Sequence, residues 1–151
     1  IKRSGSFFDK MLAERKIVYT APGPSCDFDR DGRLDLFLGS WWPESPSLLL
    51  RNETAGGHWL DVQVAGGNGV NRMGVGSRVD IYEVGKAGAA ASRIGSREIA
   101  TGYGYASSQE AIAHFGLGER TVCDVVVTFP HGRRNVVLKS VTHGQRLVVQ
   151  P

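Results

Sequence analysis

An all-β fold is what this sequence predicts, and three observations predict it. Twenty Gly and six Pro divide the 151 residues into many short apolar runs, and punctuation at that frequency favours strands over helices. Several runs alternate with period two. Val125, Val127 and Phe129 fall on one face with Asp124, Val126 and Thr128 on the other, and Val62 and Val64 alternate with Asp61 and Gln63. The third observation is an Asp-rich loop, Asp27 to Asp35, that runs straight into an apolar segment. The expected architecture is a small calcium-binding β unit followed by an antiparallel β-sandwich or a partly closed barrel.

The elements follow in chain order. Ser6 to Lys16 is the one segment with a helical pattern: Ser6 and Asp9 resemble a capping box, and Phe7, Met11 and Leu12 share a face. Ile17-Val18-Tyr19 reads as a short strand, and Pro22 and Pro24 mark a loop. Leu34–Leu38 and Leu48–Leu50 are strands bracketing Trp41-Trp42-Pro43-Glu44-Ser45-Pro46. Ala55-Gly56-Gly57 is a hinge, which places the domain boundary between residues 1–55 and 56–151. Strands are then expected at Trp59–Val64, Val75–Val84, Arg93–Ala100, Glu110–Phe115, Val122–Phe129, Asn135–Val141 and Arg146–Val149, with Lys86–Ala91 as a hairpin tip.

The Asp-rich loop carries the clearest chemistry. Asp27, Asp29, Asp31 and Asp35 stand at loop positions 1, 3, 5 and 9, with Gly32 at position 6. A hard cation such as Ca²⁺ takes about six to eight oxygen ligands, and carboxylates on alternate residues of a tight turn converge on one point. Gly32 permits the bend, and Arg33 at position 7 offers its backbone carbonyl. The expected metal ligands are therefore Asp27, Asp29, Asp31, Arg33 and Asp35, with Ca²⁺ as cofactor. An EF-hand is excluded, because position 12 is Leu38 and the segment after the loop reads as a strand. An Asp-rich surface turn is the competing reading.

Bulk properties set outer limits. The excess of 18 basic over 15 acidic residues is small and scattered, with no basic run interleaved with aromatics, so no nucleic-acid partner is expected. The longest apolar runs are too short to span a membrane. The chain begins at Ile1 without a signal peptide and reads as a piece of a longer protein. Cys26 and Cys123 have no zinc spacing; they are either a bridged pair, worth about 4–5 kcal/mol in a chain-entropy account, or two buried thiols.

Specific segments carry a resemblance. Asp27–Leu38 resembles the calcium-loop strand of an FG-GAP (VCBS-type) repeat, the blade unit of integrin-like β-propellers, and Leu48-Leu49-Leu50-Arg51-Asn52 is similar to the strand closing such a blade. From Gly57 onward the chain resembles the ASPIC/UnbV domain of cartilage acidic protein-like extracellular proteins. The matching pieces are Gly57-His58-Trp59-Leu60, Asn71–Val79, Gly102-Tyr103-Gly104-Tyr105 with Ser108-Gln109, His114–Gly118, Phe129-Pro130-His131-Gly132 and Val141–Val149. Phe129-Pro130-His131-Gly132 stands where the family more often has Trp-Pro-Ser-Gly. The resemblance implies one partial propeller blade with a calcium loop, followed by a β domain. It implies a non-catalytic interaction or adhesion module, extracellular or at the cell surface, secreted or periplasmic if bacterial. Its partners would be a protein or glycan outside the cell and the remaining blades of the parent chain.

Other residues have simpler readings. Trp59 is expected as a core aromatic and His58 as a hydrogen-bonded edge residue; His114 is read in the same way, and His131 and His143 as solvated turn residues. Gly67-Asn68-Gly69 and Gly102-Tyr103-Gly104 do not open helices, so they are turns and not a dinucleotide fingerprint. A carbohydrate-binding accessory domain of a larger extracellular enzyme is the alternative function, with Trp41 and Trp42 as the sugar platform. A glycosidase would need two carboxyls about 5–10 Å apart across a cleft, and Asp61, Asp80, Glu83, Glu98, Glu110 and Asp124 suggest no such pair. Asn52-Glu53-Thr54 fits an N-glycosylation sequon.

Overall fold

The computed structural model describes residues 14, 20–21, 24–40, 46–104, 107–132 and 134–151. The expected helix Ser6–Lys16, the strand Ile17–Tyr19 and the Trp41-Trp42 pair lie outside these residues or almost wholly so. The chain divides into two units. One comprises residues up to Asp29, Leu34–Glu53 and Gly102–Gln109; the other comprises Arg30–Arg33, Thr54–Thr101 and Glu110–Pro151.

The first unit is a small antiparallel sheet built around β3 (Asp35–Ser40). β1 (Thr20–Ala21), β2 (Ser25–Cys26) and β4 (Leu48–Leu50) all pair with β3. Leu36 lies opposite both Ser25 and Leu50, and Phe37 opposite Leu49. Its apolar side chains stay at the surface: Leu36, Phe37, Leu49 and Leu50 are all exposed.

The second unit is a sandwich of two sheets. β5 (His58–Val64), β8 (Ile112–Gly118) and β11 (Gln145–Val149) form one, in the order β11-β5-β8. β6 (Arg78–Tyr82), β7 (Arg93–Glu98), β9 (Val122–Thr128) and β10 (Asn135–Thr142) form the other, in the order β10-β9-β6-β7. Alternation supplies the core: Leu60, Val62 and Val64 face Val79, Ile81, Val125 and Val127, with Ala113, Phe115, Leu117 and Phe129 filling between them. The barrel alternative is set aside, since the two sheets do not close. The pairings are antiparallel except one, because β11 runs parallel to β5.

The expected strands are present with shifted ends. Val75–Val84 contracts to Arg78–Tyr82 because the residues before it form a laced loop. The Asn71 side chain donates from Nδ2 to the Val75 carbonyl at 2.8 Å and accepts the Val75 N–H at 2.9 Å. Gly74, at φ +66°, packs so closely that an added Cβ would lie 2.3 Å from the Val64 Cβ. β6 and β7 form the expected hairpin, whose tip contains Lys86–Ala91. β8 starts two residues later than expected, at Ile112, leaving Glu110 outside the strand.

Asp124 shows what a buried carboxylate does in this fold. It is fully buried, and it accepts the Gly85 N–H at the hairpin tip and the Ser140 N–H at the bulge in β10, each at 2.9 Å. Ser140 adopts φ +53°, an uncommon conformation for a residue with a Cβ. A buried carboxylate that accepts from two backbone N–H groups ties both irregular segments to β9.

Cys123 is a thiol fully buried in the sandwich core, and desolvation, with the adjacent Asp124 carboxylate, raises its pKa above the ordinary thiol value. Cys26 is half-buried in β2.

Candidate metal centre

The Asp-rich loop leaves β2 at Cys26 and enters β3 at Asp35, so a tight turn is forced between two paired strands. Of the five expected ligands, the structure groups three. Asp27, Asp29 and Asp35 each present a carboxylate oxygen, and these oxygens lie within 4.8 Å of one another. Asp35 anchors the group. It is buried, accepting the Phe28 N–H at 3.0 Å on one oxygen and the Asn52 N–H at 2.8 Å on the other. Asn52 also donates its side-chain amide to the Leu34 carbonyl at 3.2 Å. Asn52, two residues beyond the end of β4, thus fixes the carboxylate at the far end of the loop. Asp29 pairs with Arg51 at 2.7 Å, with both side chains partly exposed.

Asp31 is not in the group. Its Oδ1 accepts the Arg33 N–H at 2.9 Å and its Oδ2 pairs with the Arg33 guanidinium. A carboxylate bonded to the backbone two residues on is the Asx-turn geometry. Arg33, expected to contribute through its carbonyl, thus engages Asp31 through both its N–H and its side chain. Gly32 has a second reason to be glycine. It is buried at φ +88°, and an added Cβ would sit 1.9 Å from Nε1 of the Trp59 indole.

The three grouped carboxylates suit a hard cation. They carry formal charge of one sign at close range, a costly arrangement without a counter-charge. They also supply oxygen donors of the type Ca²⁺ prefers, leaving other positions to carbonyls and water. Arg51 is the competing counter-ion, since it neutralises Asp29 where a divalent ion would.

A second polar arrangement was missed in the sequence. On the outer face of the three-stranded sheet, Asp61 of β5 lies opposite His114 of β8 and Arg146 of β11. Asp61 is buried; it meets the His114 Nδ1 at 2.8 Å and accepts from Arg146 through Nε at 3.2 Å and Nη2 at 3.1 Å. Alternation marked Asp61 as outward-facing, but only the cross-strand register brings an Arg 85 positions away beside it. Trp59 belongs to this outer face too: it is half-buried and stacks on His114 with centroids 6.4 Å apart, so it is not a core aromatic. His143, expected in solvent, is half-buried, its ring 3.7 Å from that of His58. His131 is exposed, as expected.

Comparison with known proteins places this arrangement. The ASPIC and UnbV family profile matches residues 67–151, more than half of the chain. The chain belongs to the ASPIC and UnbV family. Cartilage acidic protein 1 of Homo sapiens is 34% identical over 128 residues, covering 82% of this chain and 17% of that protein. Its Mus musculus counterpart is 35% identical over 116 residues, covering 74% of this chain and 16% of that protein. The chain therefore spans about a sixth of the length of the curated relatives it matches. The ASPIC and UnbV match begins inside the second unit, after the Asp-rich loop. No helix among the described residues is long and apolar enough to cross a membrane.

Proposed function

We propose that this ASPIC and UnbV chain is a non-catalytic, calcium-binding interaction or adhesion module from a larger extracellular protein, and that its first unit is a partial FG-GAP/VCBS-type blade. The observation that carries the reading is the convergence of the Asp27, Asp29 and Asp35 carboxylates within 4.8 Å at the junction of β2 and β3. Asp35, immobilised by two backbone N–H groups, is the pre-organised ligand, with Asp27 and Asp29 completing a half-shell. The cation's task is structural: it offsets the mutual repulsion of the carboxylates and holds the loop against the start of β3. Likeness to cartilage acidic protein 1 supports placement outside the cell.

Isothermal titration with Ca²⁺ tests the ligand set. Asp29→Ala removes a grouped carboxylate, and its Kd should rise on the order of tenfold or more. Arg33→Ala keeps the backbone carbonyl and frees Asp31, so its Kd should stay close to that of the unaltered chain. Equal losses in the two variants, or no heat from the unaltered chain in millimolar Ca²⁺, would overturn the reading.

A further inference from the structure

The motif Asn71-Arg72-Met73-Gly74 has no role in the calcium reading, yet it is among the most constrained loops of the fold. Asn71 is bonded to Val75 in both directions and Gly74 is pressed against Val64. The two residues held between them are both exposed, and together they line one wall of a cleft of about 380 Å³. That volume falls within the range of small-ligand sites. The rest of the lining is Gln63, Glu110, Ala111, Ile112 and Arg146.

The chemistry of this cleft is asymmetric. The Arg72 carbonyl accepts the Gly66 N–H at 3.0 Å, but its side chain makes no ion pair or hydrogen bond with any described residue, so the guanidinium is available. Arg146 is held on the Nε–Nη2 edge by buried Asp61, which His114 braces from the neighbouring strand. Its Nη1 is not used in that clamp. A charged side chain fixed by a buried partner is pre-organised, so less freedom is lost when it meets a ligand. Met73 and Ile112 add apolar surface, and the Gln63 side chain adds an amide. The Glu110 carboxylate lies 3.5 Å from Arg146 and opposes any ligand of high negative charge density.

We propose that this cleft binds a single carboxylate flanked by an apolar group, as an acidic side chain within an apolar peptide segment of a partner protein presents it. Arg72 and Arg146 receive the carboxylate, Gln63 offers an amide donor, and Met73 and Ile112 cover the apolar neighbour. Arg146 already shares its charge with Asp61 and Glu110, which leaves Arg72 as the cation to be matched by one carboxylate and favours a peptide over a sulphated glycan.

The test is NMR titration of the whole chain with the blocked peptide acetyl-Leu-Asp-Leu-amide. Acetyl-Leu-Asn-Leu-amide and a sulphated heparin disaccharide serve as comparators. The expected result is saturable shifts of the Gln63, Arg72, Met73, Ile112 and Arg146 amides with the Asp peptide, and binding about tenfold weaker for the Asn peptide and for Arg72→Ala. Arg72 is exposed, so its replacement leaves the fold intact even if an Arg146 variant does not fold. Shifts elsewhere, equal binding of the Asp and Asn peptides, an unaltered Kd in Arg72→Ala, or tighter binding of the disaccharide would each overturn the proposal. A negative result here leaves the calcium reading untouched, because no grouped Asp lines the cleft.

Discussion

Strands β3 and β4 are as rich in leucine as any in the chain, yet Leu36, Leu49 and Leu50 stay in solvent, whereas the inward-facing side chains of β5 and β9 are sealed in a core. Leu49 is 57% exposed and Leu36 38%, while Leu60 and Val125 are at 0%. The difference is not composition. In the second unit two sheets face each other, and each alternating strand finds a partner layer. In the first, a single small sheet is described, and Leu36, Phe37, Leu49 and Leu50 stand outside the buried apolar cluster. A hydrophobic strand sequence specifies pairing; burial requires a second layer, and that information lies elsewhere in the chain.

The sharpest way to break this comparison is to truncate one large apolar residue in each unit. Phe129→Ala should cost about 3–5 kcal/mol, since the ring is 1% exposed among packed neighbours. Leu49→Ala should change stability by no more than about 0.5 kcal/mol. Urea denaturation followed by circular dichroism checks both. A comparable loss from Leu49→Ala would show that β4 has a covering layer after all.

Gly32→Ala should come next. The residue sits at φ +88° with the Trp59 ring in the space of the missing Cβ. A strained φ alone costs on the order of 1–3 kcal/mol, and a rigid indole cannot step aside cheaply. The expected signature is a lower melting temperature together with a changed Trp fluorescence spectrum. An unaltered spectrum at unaltered stability would mean that the loop and the indole do not meet.

The smallest effect concerns pH. The Lys86 ammonium, bonded to Glu83 at 2.7 Å, lowers the Glu83 pKa from its ordinary value of 4.5. A depressed carboxylate pKa contributes stability that is present above the unfolded value and lost as pH falls through the folded one. Comparing Lys86→Met with the unaltered chain, the difference in stability should therefore be present at neutral pH and vanish under acid conditions. Because the pair is exposed, the difference should also shrink in high salt. A difference that grows on acidification would reverse the assigned sign.

Much of this was legible in the sequence, for identifiable reasons. Period-two alternation located β5 and β9, because a one-residue slip would expose Val62 or Val127. The Asp spacing gave the loop, and Asp27, Asp29 and Asp35 do come together. Spacing alone does not show that the backbone N–H and side chain of Arg33 engage the Asp31 carboxylate. Nor does it show the Asp61 site, because an Arg–Asp–His ladder depends on strand order, and β11 returning parallel to β5 leaves no local signal. The Trp59 reading failed because a Trp next to a core Leu can point to either face of a strand.

Hydrogen–deuterium exchange of the whole chain, in EDTA and in millimolar Ca²⁺, tests most directly whether the Asp27, Asp29 and Asp35 carboxylates hold a cation. A ligand bound only by the native state stabilises it by about 2.7 kcal/mol at a hundredfold excess over Kd. Calcium should therefore slow exchange in peptides covering 24–40 and 48–52, where the Phe28 and Asn52 N–H groups meet Asp35. Peptides from β6, β9 and β10 should exchange at unaltered rates. Identical exchange of residues 24–52 with and without the ion would contradict the account.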